Sequence, residues 1–415
     1  MNPPTSYLPP LSDATASGAA MPMLPPSPSA SAAIVWDDAQ RAAAFAVWLR
    51  GVAGAHALVE ASVRPASADA SFRRYFRIDS SAAGASYVIM DAPPAKEDCQ
   101  PFVHVAALMA AAGLHVPDIV AWDEAHGFML LTDLGARTMM EFINPQEPEA
   151  NFDLYMEAVD TLIAWQLASK PGVLPVYDEA LLRRELSLFP DWYLAKHRQV
   201  SLDAAQQATL DNAFSLIVQR NLAVPSVYVH RDFMPRNLMA PTLVASRTAL
   251  PPVGADLPWG GPASNRLPAS DMRLGVLDFQ DAVYGPITYD IASLMRDAFL
   301  SWEEPFVLDI TIRYWQKAIK VGLLGASSPT GWGADFGEFY RAVEWMGLQR
   351  HLKILGVFAR LTLRDGKPKY LADTPRFIAY VRATADRYRE LGPFLKLLDQ
   401  IEGIETPMGY SFGKT

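Results

Sequence analysis

Apolar positions along this chain follow two different rhythms. Up to about residue 132 they come in short runs. Residues 72–78 and 87–91 read as strands, and Pro93-Pro94 ends the second. A helix is expected ahead of them: Asp37 and Asp38 suit a helix start, and AQRAAAFAVWLRGV carries apolar residues at helical spacing. QPFVHVAALMAAAG predicts a second helix, closed by Gly113. Residues 118–122 and 127–132 predict two more strands meeting across an acidic turn at Asp123-Glu124. The expected result is a small antiparallel sheet with one inserted helix.

From residue 151 the rhythm becomes helical, in NFDLYMEAVDTLIAWQLAS, DEALLRRELSLFPDWYLAKH and LDAAQQATLDNAFSLIVQRN. Two short strands interrupt it, one ahead of His230 and one at 275–278. Long helices follow at 287–299, 304–322 and 337–358, with two more toward the C-terminus. Residues 241–272 are rich in Pro, Gly, Ala and Ser and far exceed what a hairpin needs, so they read as a flexible surface insertion. The first 33 residues are Pro/Ser/Ala-rich and lack both a basic start and a long apolar stretch, which predicts a disordered leader rather than a secretory signal. The expected organisation is a leader (1–35), a sheet-based N-lobe that binds nucleotide (36–133) and a mostly helical C-lobe that carries catalysis and the acceptor (134–415). The fold class is α+β.

Composition narrows the options. Half of the residues are apolar and 20% are charged, an ordinary globular balance. The formal charge of −9 disfavours nucleic acid as a partner, because phosphate backbones need basic surfaces. Cys99 is the only cysteine, which excludes an intrachain disulfide, a cysteine-based zinc site and an iron–sulfur cluster. A lone thiol fits a reducing cytoplasm, where the protein is expected as a monomer. No apolar run reaches the roughly 18 residues of a membrane span, so no membrane partner is expected.

The chemistry concentrates in VYVHRDFMPRNLM, residues 227–239. Asp232 follows a short apolar run, and Asn237 stands five positions later. A second carboxylate, Asp278 in LDFQD, also ends an apolar run, and Asp290 comes twelve positions beyond it. Phosphoryl transfer needs a carboxylate to align or deprotonate a hydroxyl, and oxygen ligands for Mg²⁺. Asp232 is expected to be the catalytic base, Asn237 and Asp278 the metal ligands, and His230 a brace for the loop. Asp290 is placed to anchor the same loop through its amides.

The nucleotide side carries fewer signals. PASADASFRRYFRI has no glycine, but Ser67, Asp69 and Ser71 can form a tight turn facing phosphate. Strand alternation then sends Arg73, Tyr75 and Arg77 to one face and Phe72, Arg74 and Phe76 to the other. Arg73 or Arg74 is a candidate for neutralising ATP phosphates; the alternative is a set of solvated arginines on an edge strand. A kinase-like strand lysine would fall near Met90, and none stands there. Adenine is expected against residues 131–134, including Thr132 and Leu134.

For an acceptor pocket, Glu185, Phe189, Asp191, Trp192 and Tyr193 mix polar groups with aromatic platforms; the alternative is an amphipathic helix with an aromatic core stripe. Gln349-Arg350-His351-Leu352-Lys353, with Arg360 and Arg364 beyond, is locally basic. Arg350, His351 and Arg360 are candidates for meeting an anionic acceptor, and a solvated helix face or internal ion pairs are the alternative.

These residues resemble the aminoglycoside phosphotransferase family, a small-molecule branch of the protein-kinase-like fold. The likeness extends from about Asp69 to the C-terminus, through ADASFRRYFRI, YVIMDAPPAKED, GFMLLTDLG, ELSLFPDWYL, HRDFMPRNLM, LDFQDAVYGPITYDIASLMRDAF and QRHLKILGVFARLTLRDGKPKYL. Within that family the set resembles the anomeric sugar kinases of cell-wall recycling. The resemblance implies a two-lobe kinase-like fold, ATP and Mg²⁺ as cofactors, and transfer to the C1 hydroxyl of N-acetylmuramate or N-acetylglucosamine. It places Asp232 as catalytic base and Asn237 and Asp278 as Mg²⁺ ligands. An aminoglycoside or amino-alcohol acceptor, or a non-catalytic nucleotide-binding regulator, are the competing readings.

Overall fold

The structure, a computed structural model, describes residues 34–36, 38–68, 72–82, 85–243, 272–325 and 331–405. The expected leader to residue 33 and most of the 241–272 insertion lie outside the described residues. The chain forms two compact units. One holds the described residues up to Cys99 together with Ile119–Asp133, and the other holds Gln100–Asp118 and everything from Leu134. The inserted helix therefore groups with the second unit, and the expected limits 36–133 and 134–415 differ from this division by that segment.

In the first unit, helix α1 (Ala39–Ala53) is opened by Asp38, whose carboxylate accepts the Gln40 N–H at 2.8 Å. Five strands follow: β1 (Arg64–Ala68), β2 (Arg74–Asp79) and β3 (Ser86–Asp91), then β4 (Ile119–Asp123) and β5 (Phe128–Thr132). They make one antiparallel sheet in the order β1-β2-β3-β5-β4. Alternation sends Phe76, Ile78, Ile89, Phe128 and Leu130 to one face, where Phe45 and Leu49 of α1 cover them. Each such side chain contributes about 1.5–3 kcal/mol on burial. Gly127 closes the β4–β5 turn at a φ of +70°, and a Cβ there would lie 1.9 Å from the Ala92 carbonyl oxygen, so only glycine fits. Strand β1 replaces part of the expected phosphate turn: the backbone of Ser67 pairs with Tyr75, while Asp69 and Ser71 lie outside the described residues.

In the second unit, α2 (Gln100–Ala111) is followed by α3 (Phe152–Leu167) and α4 (Glu179–Leu188). The single helix expected over 178–197 divides at Phe189, where α4 passes into a π-helix, Phe189–Arg198. Helix α5 (Ala204–Leu222) leads to β6 (Ser226–Val229). Strands β7 (Leu238–Leu243), β8 (Met272–Val276) and β9 (Val283–Pro286) come next, followed by α6 (Thr288–Met295) and α7 (Glu304–Lys320). Helices α8 (Phe336–Leu363), α9 (Thr374–Arg387) and α10 (Gly392–Glu402) complete it. The strands preceding His230 and Asp278 belong to different two-stranded sheets, β6 with β9 and β7 with β8; β7 and β9 were not expected. Helix α8 is the spine of this unit. A Cβ on Gly356 would lie 2.3 Å from the Leu188 backbone, so α8 and the end of α4 approach as closely as glycine allows.

Candidate active site

The loop after β6 is held from behind by Asp290, in the first turn of α6. Its carboxylate accepts the His230 N–H at 2.7 Å and the Arg231 N–H at 3.0 Å. His230 is fully buried; its Nε2 donates to the Leu277 carbonyl at 3.0 Å, while Nδ1 accepts the Asp232 N–H at 3.2 Å. That pattern requires the neutral imidazole, and burial pulls its pKa down to about 4. Leu277 in turn donates its N–H to the Asn237 carbonyl at 2.9 Å. Two separate sheets are thus tied together at the point where Asp232 and Asp278 emerge.

Asn237 is drawn into the same knot. Its Nδ2 donates to the Asp232 carbonyl at 2.9 Å and to Asp278 Oδ2 at 3.3 Å, and Gln280 Nε2 donates to Asp278 Oδ1 at 2.9 Å. Arg231 and Asp278 sit at φ of +78° and +62°. Left-handed backbone at non-glycine residues costs on the order of 1–3 kcal/mol each and persists where surrounding contacts enforce it. At Arg231 those contacts are the Asp290 carboxylate and Arg350, whose Nη1 donates to the Arg231 carbonyl at 2.8 Å.

Beside the loop lies a charged cluster. Glu185 Oε1 accepts Arg231 Nη2 at 2.6 Å and Lys353 Nζ at 3.0 Å, and its Oε2 accepts the Tyr177 hydroxyl. Lys353 Nζ also reaches the Tyr289 hydroxyl at 3.3 Å, and the Arg350 guanidinium lies 4.8 Å from the Tyr289 ring centre. Burial would raise the Glu185 carboxyl, but Lys353, Arg231 and Tyr177 outweigh it and hold its pKa at about 2. Asp290 goes the other way: burial pushes it up to about 7 against its two amide hydrogen bonds.

The structure brings Asp232, Asn237, Asp278, Glu185 and Arg350 together. It places His351, Arg360, Tyr193 and Trp192 elsewhere in the second unit. His351 is stacked on Tyr380 at 4.9 Å in the core between α8 and α9, and burial lowers its pKa to about 3. Arg360 is ten residues further along α8 than Arg350, about 15 Å at 1.5 Å rise per residue. Tyr193 stacks on Phe189 and donates to Glu402 Oε1 at 2.9 Å. It lines a cavity of about 390 Å³ among the π-helix, α9 and α10. Trp192 is half-buried on the π-helix.

In the first unit each arginine of the FRRYFR stretch meets a carboxylate. Arg73 pairs with Glu97 at 3.2 Å, Arg77 with Asp133 at 2.6 Å, and Arg74 with the fully buried Asp91, which Arg41 also holds. Arg74 further lies over Trp36, 4.1 Å from its ring centre. These arginines brace the sheet. Thr132 ends β5 opposite Tyr87, and Leu134 is buried in the second unit against the position of Gly275. Lys353 is the site residue that sequence reasoning left unassigned. The signal was its spacing: Arg350 and Lys353, three apart, share a helix face that His351 does not.

Among the described residues no three His, Cys, Asp or Glu side chains group to hold a metal. Asn237 and Asp278 nevertheless fit Mg²⁺ as oxygen ligands, because that ion keeps waters and substrate phosphate oxygens and needs one or two protein groups. Asn237 spends only its amide nitrogen on Asp232 and Asp278, leaving the amide oxygen as the ligand atom.

An aspartate-bearing loop clamped against an asparagine and a second aspartate in a mostly helical unit, in a chain that also carries a small antiparallel sheet unit, fits a phosphotransferase of kinase-like fold. The chain belongs to the phosphotransferase enzyme family, which it matches over residues 62–242 and 266–324. It is 46% identical over 346 residues to an N-acetylmuramate/N-acetylglucosamine kinase of Pseudomonas aeruginosa, covering 83% of this chain and 90% of that one. A Neisseria meningitidis protein of the same description is 43% identical over 349 residues, 84% of this chain and 93% of its own. Among solved structures, an aminoglycoside 2′-phosphotransferase in complex with GDP superposes with a TM-score of 0.52 at 13% identity, over 81% of this chain and 97% of that one. Choline kinase from Streptococcus pneumoniae gives 0.51 at 10% identity, over 82% and 99%. No helix among the described residues is long and apolar enough to cross a membrane.

Proposed function

We propose that this protein is an ATP- and Mg²⁺-dependent kinase that phosphorylates the anomeric C1 hydroxyl of N-acetylmuramate, N-acetylglucosamine or both. The observation that carries the reading is the convergence of Asp232, Asn237 and Asp278 through the Leu277–Asn237 and His230–Leu277 hydrogen bonds. The relatives' descriptions support the choice of acceptor.

In this reading Asp232 orients the acceptor hydroxyl and takes its proton as the new O–P bond forms and the bond from the γ-phosphorus to the β–γ bridging oxygen of ATP breaks, releasing ADP. Asn237 and Asp278 would hold Mg²⁺, which when bound would supply charge neutralisation on the transferred phosphoryl group. The neutral His230 and the Asp290 carboxyl group keep the Asp232 backbone in place. Thr132 and Leu134 are assigned to the adenine edge. The cations beside Asp232 argue against a polycationic acceptor, which would want carboxylates there.

Coupled ADP release tests the reading. Turnover is expected with N-acetyl amino sugars, and Asp232→Asn is expected to lower it by about 10²–10⁴-fold, the usual worth of a general base, with an unchanged melting midpoint. Near-normal turnover in that variant, or preference for an aminoglycoside or amino alcohol, contradicts it. ATP binding without ADP release from any acceptor would instead mark a nucleotide-binding regulator.

A further inference from the structure

The basic run on α8 contains several cations, but their surroundings leave few of them able to meet a ligand. Arg350 is 3% exposed and engaged by the Arg231 carbonyl and the Tyr289 ring. His351 is in the core, and Arg364 pairs with its neighbour Asp365 at 2.7 Å. Lys353 differs. Its side chain keeps 18% of its surface exposed, and Nζ donates to two partners, Glu185 and Tyr289. An ammonium has three donors, so one remains.

The charge balance points the same way. Glu185 is one carboxylate shared by two cations, Arg231 and Lys353, with the neutral Tyr177 hydroxyl on its other oxygen. Within that triad the cations outnumber the carboxylate, at the edge of the loop that carries Asp232; Arg231 also feels Asp281, and Asp232 lies within electrostatic reach of Lys353. Burial lowers the Lys353 pKa, but Tyr289 and Glu185 outweigh it, so the group stays charged. A rigidly held ammonium with a spare donor next to a hydroxyl-activating aspartate suits an anionic substituent on the acceptor.

Building on the amino-sugar reading above, we propose that Lys353 is a specificity-determining residue that binds a carboxylate on the acceptor. N-acetylmuramate carries such a group, a lactyl ether at O3, and N-acetylglucosamine does not. The residue therefore favours the first sugar over the second, while Glu185 and Tyr289 fix the ammonium in place.

Steady-state KM values for both sugars at saturating ATP and Mg²⁺ test this. Lys353→Met is expected to raise the ratio of KM for N-acetylmuramate to KM for N-acetylglucosamine by about tenfold or more, the worth of one charge-assisted hydrogen bond, whatever loss the two acceptors share. Lys353→Arg is expected to recover most of the ratio. An unchanged ratio overturns the proposal. A second arm needs no variant: with the wild-type enzyme, the methyl ester of N-acetylmuramate is expected to lose about tenfold in KM against the free acid. Equal KM for ester and acid overturns the proposal even if Lys353→Met does not fold. Failure of the wild type to turn over either sugar overturns the amino-sugar reading itself, a result distinct from an unchanged ratio.

Discussion

Glu185 and Asp290 are two buried carboxylates on either side of Arg231, and they arrive in opposite states. Glu185 meets the Arg231 guanidinium and the Lys353 ammonium, and is held ionised with a pKa of about 2. Asp290 meets the backbone N–H groups of His230 and Arg231, and burial carries it up to about 7. Full charges compensate the loss of hydration where amide dipoles only reduce it. One side of the loop is therefore an electrostatic anchor, and the other is a hydrogen-bonded template for backbone shape.

The comparison breaks most severely at Glu185. Glu185→Ala leaves Arg231 and Lys353 without their carboxylate, and the expected cost is about 3–5 kcal/mol in urea unfolding. A loss below about 1 kcal/mol, typical of exposed pairs, would show that solvent already screens this cluster. Gly356→Ala acts on the same anchor from a distance, because the added methyl meets the Leu188 backbone at the end of the helix carrying Glu185. It is expected to cost about 3 kcal/mol, the upper part of the usual overpacking range. A neutral result would mean that α4 and α8 can separate without strain.

Asp290→Asn keeps the shape but offers one acceptor oxygen, so one loop amide loses its partner, at about 2 kcal/mol. The pH dependence sharpens the contrast further. Because the folded pKa of Asp290 is raised, its contribution is complete below the ordinary value of 3.8 and is lost as pH rises through about 7. The stability gap between wild type and Asp290→Asn should narrow from pH 4 to 7. Glu185 is depressed, so its contribution is complete above 4.5 and disappears only as pH falls toward 2. The gap between wild type and Glu185→Gln should stay flat from about pH 5.5 to 7 and begin to narrow only below that. Chemical denaturation of the three proteins at several pH values separates the two behaviours.

The loop side of this comparison was legible in the chain, because its chemistry is local. His230, Asp232 and Asn237 lie within eight residues, and Asp290 stands at a recognisable helix start. The anchor side was not legible in full, because Glu185 and Lys353 are 168 positions apart and nothing local marks them as partners. The same holds for Arg77 and Asp133, an ion pair between residues 56 positions apart. Strands β7 (LMAPTL) and β9 (VYGP) contain Pro or Gly and are short, which hides them from a propensity reading. The π-helix changes the register after Leu188, so Tyr193 leaves the face that Glu185 occupies and packs toward Glu402 instead.

The central claim is that Asp232 directs phosphate to the anomeric oxygen of an N-acetyl amino sugar. The direct measurement is ³¹P and ¹H NMR of the product formed from N-acetylmuramate, ATP and Mg²⁺. The account predicts a phosphate monoester whose phosphorus couples to the anomeric proton, formed by the wild type and lost in Asp232→Asn. A phosphate on any other hydroxyl, or ATP consumed with no sugar ester formed, would contradict it.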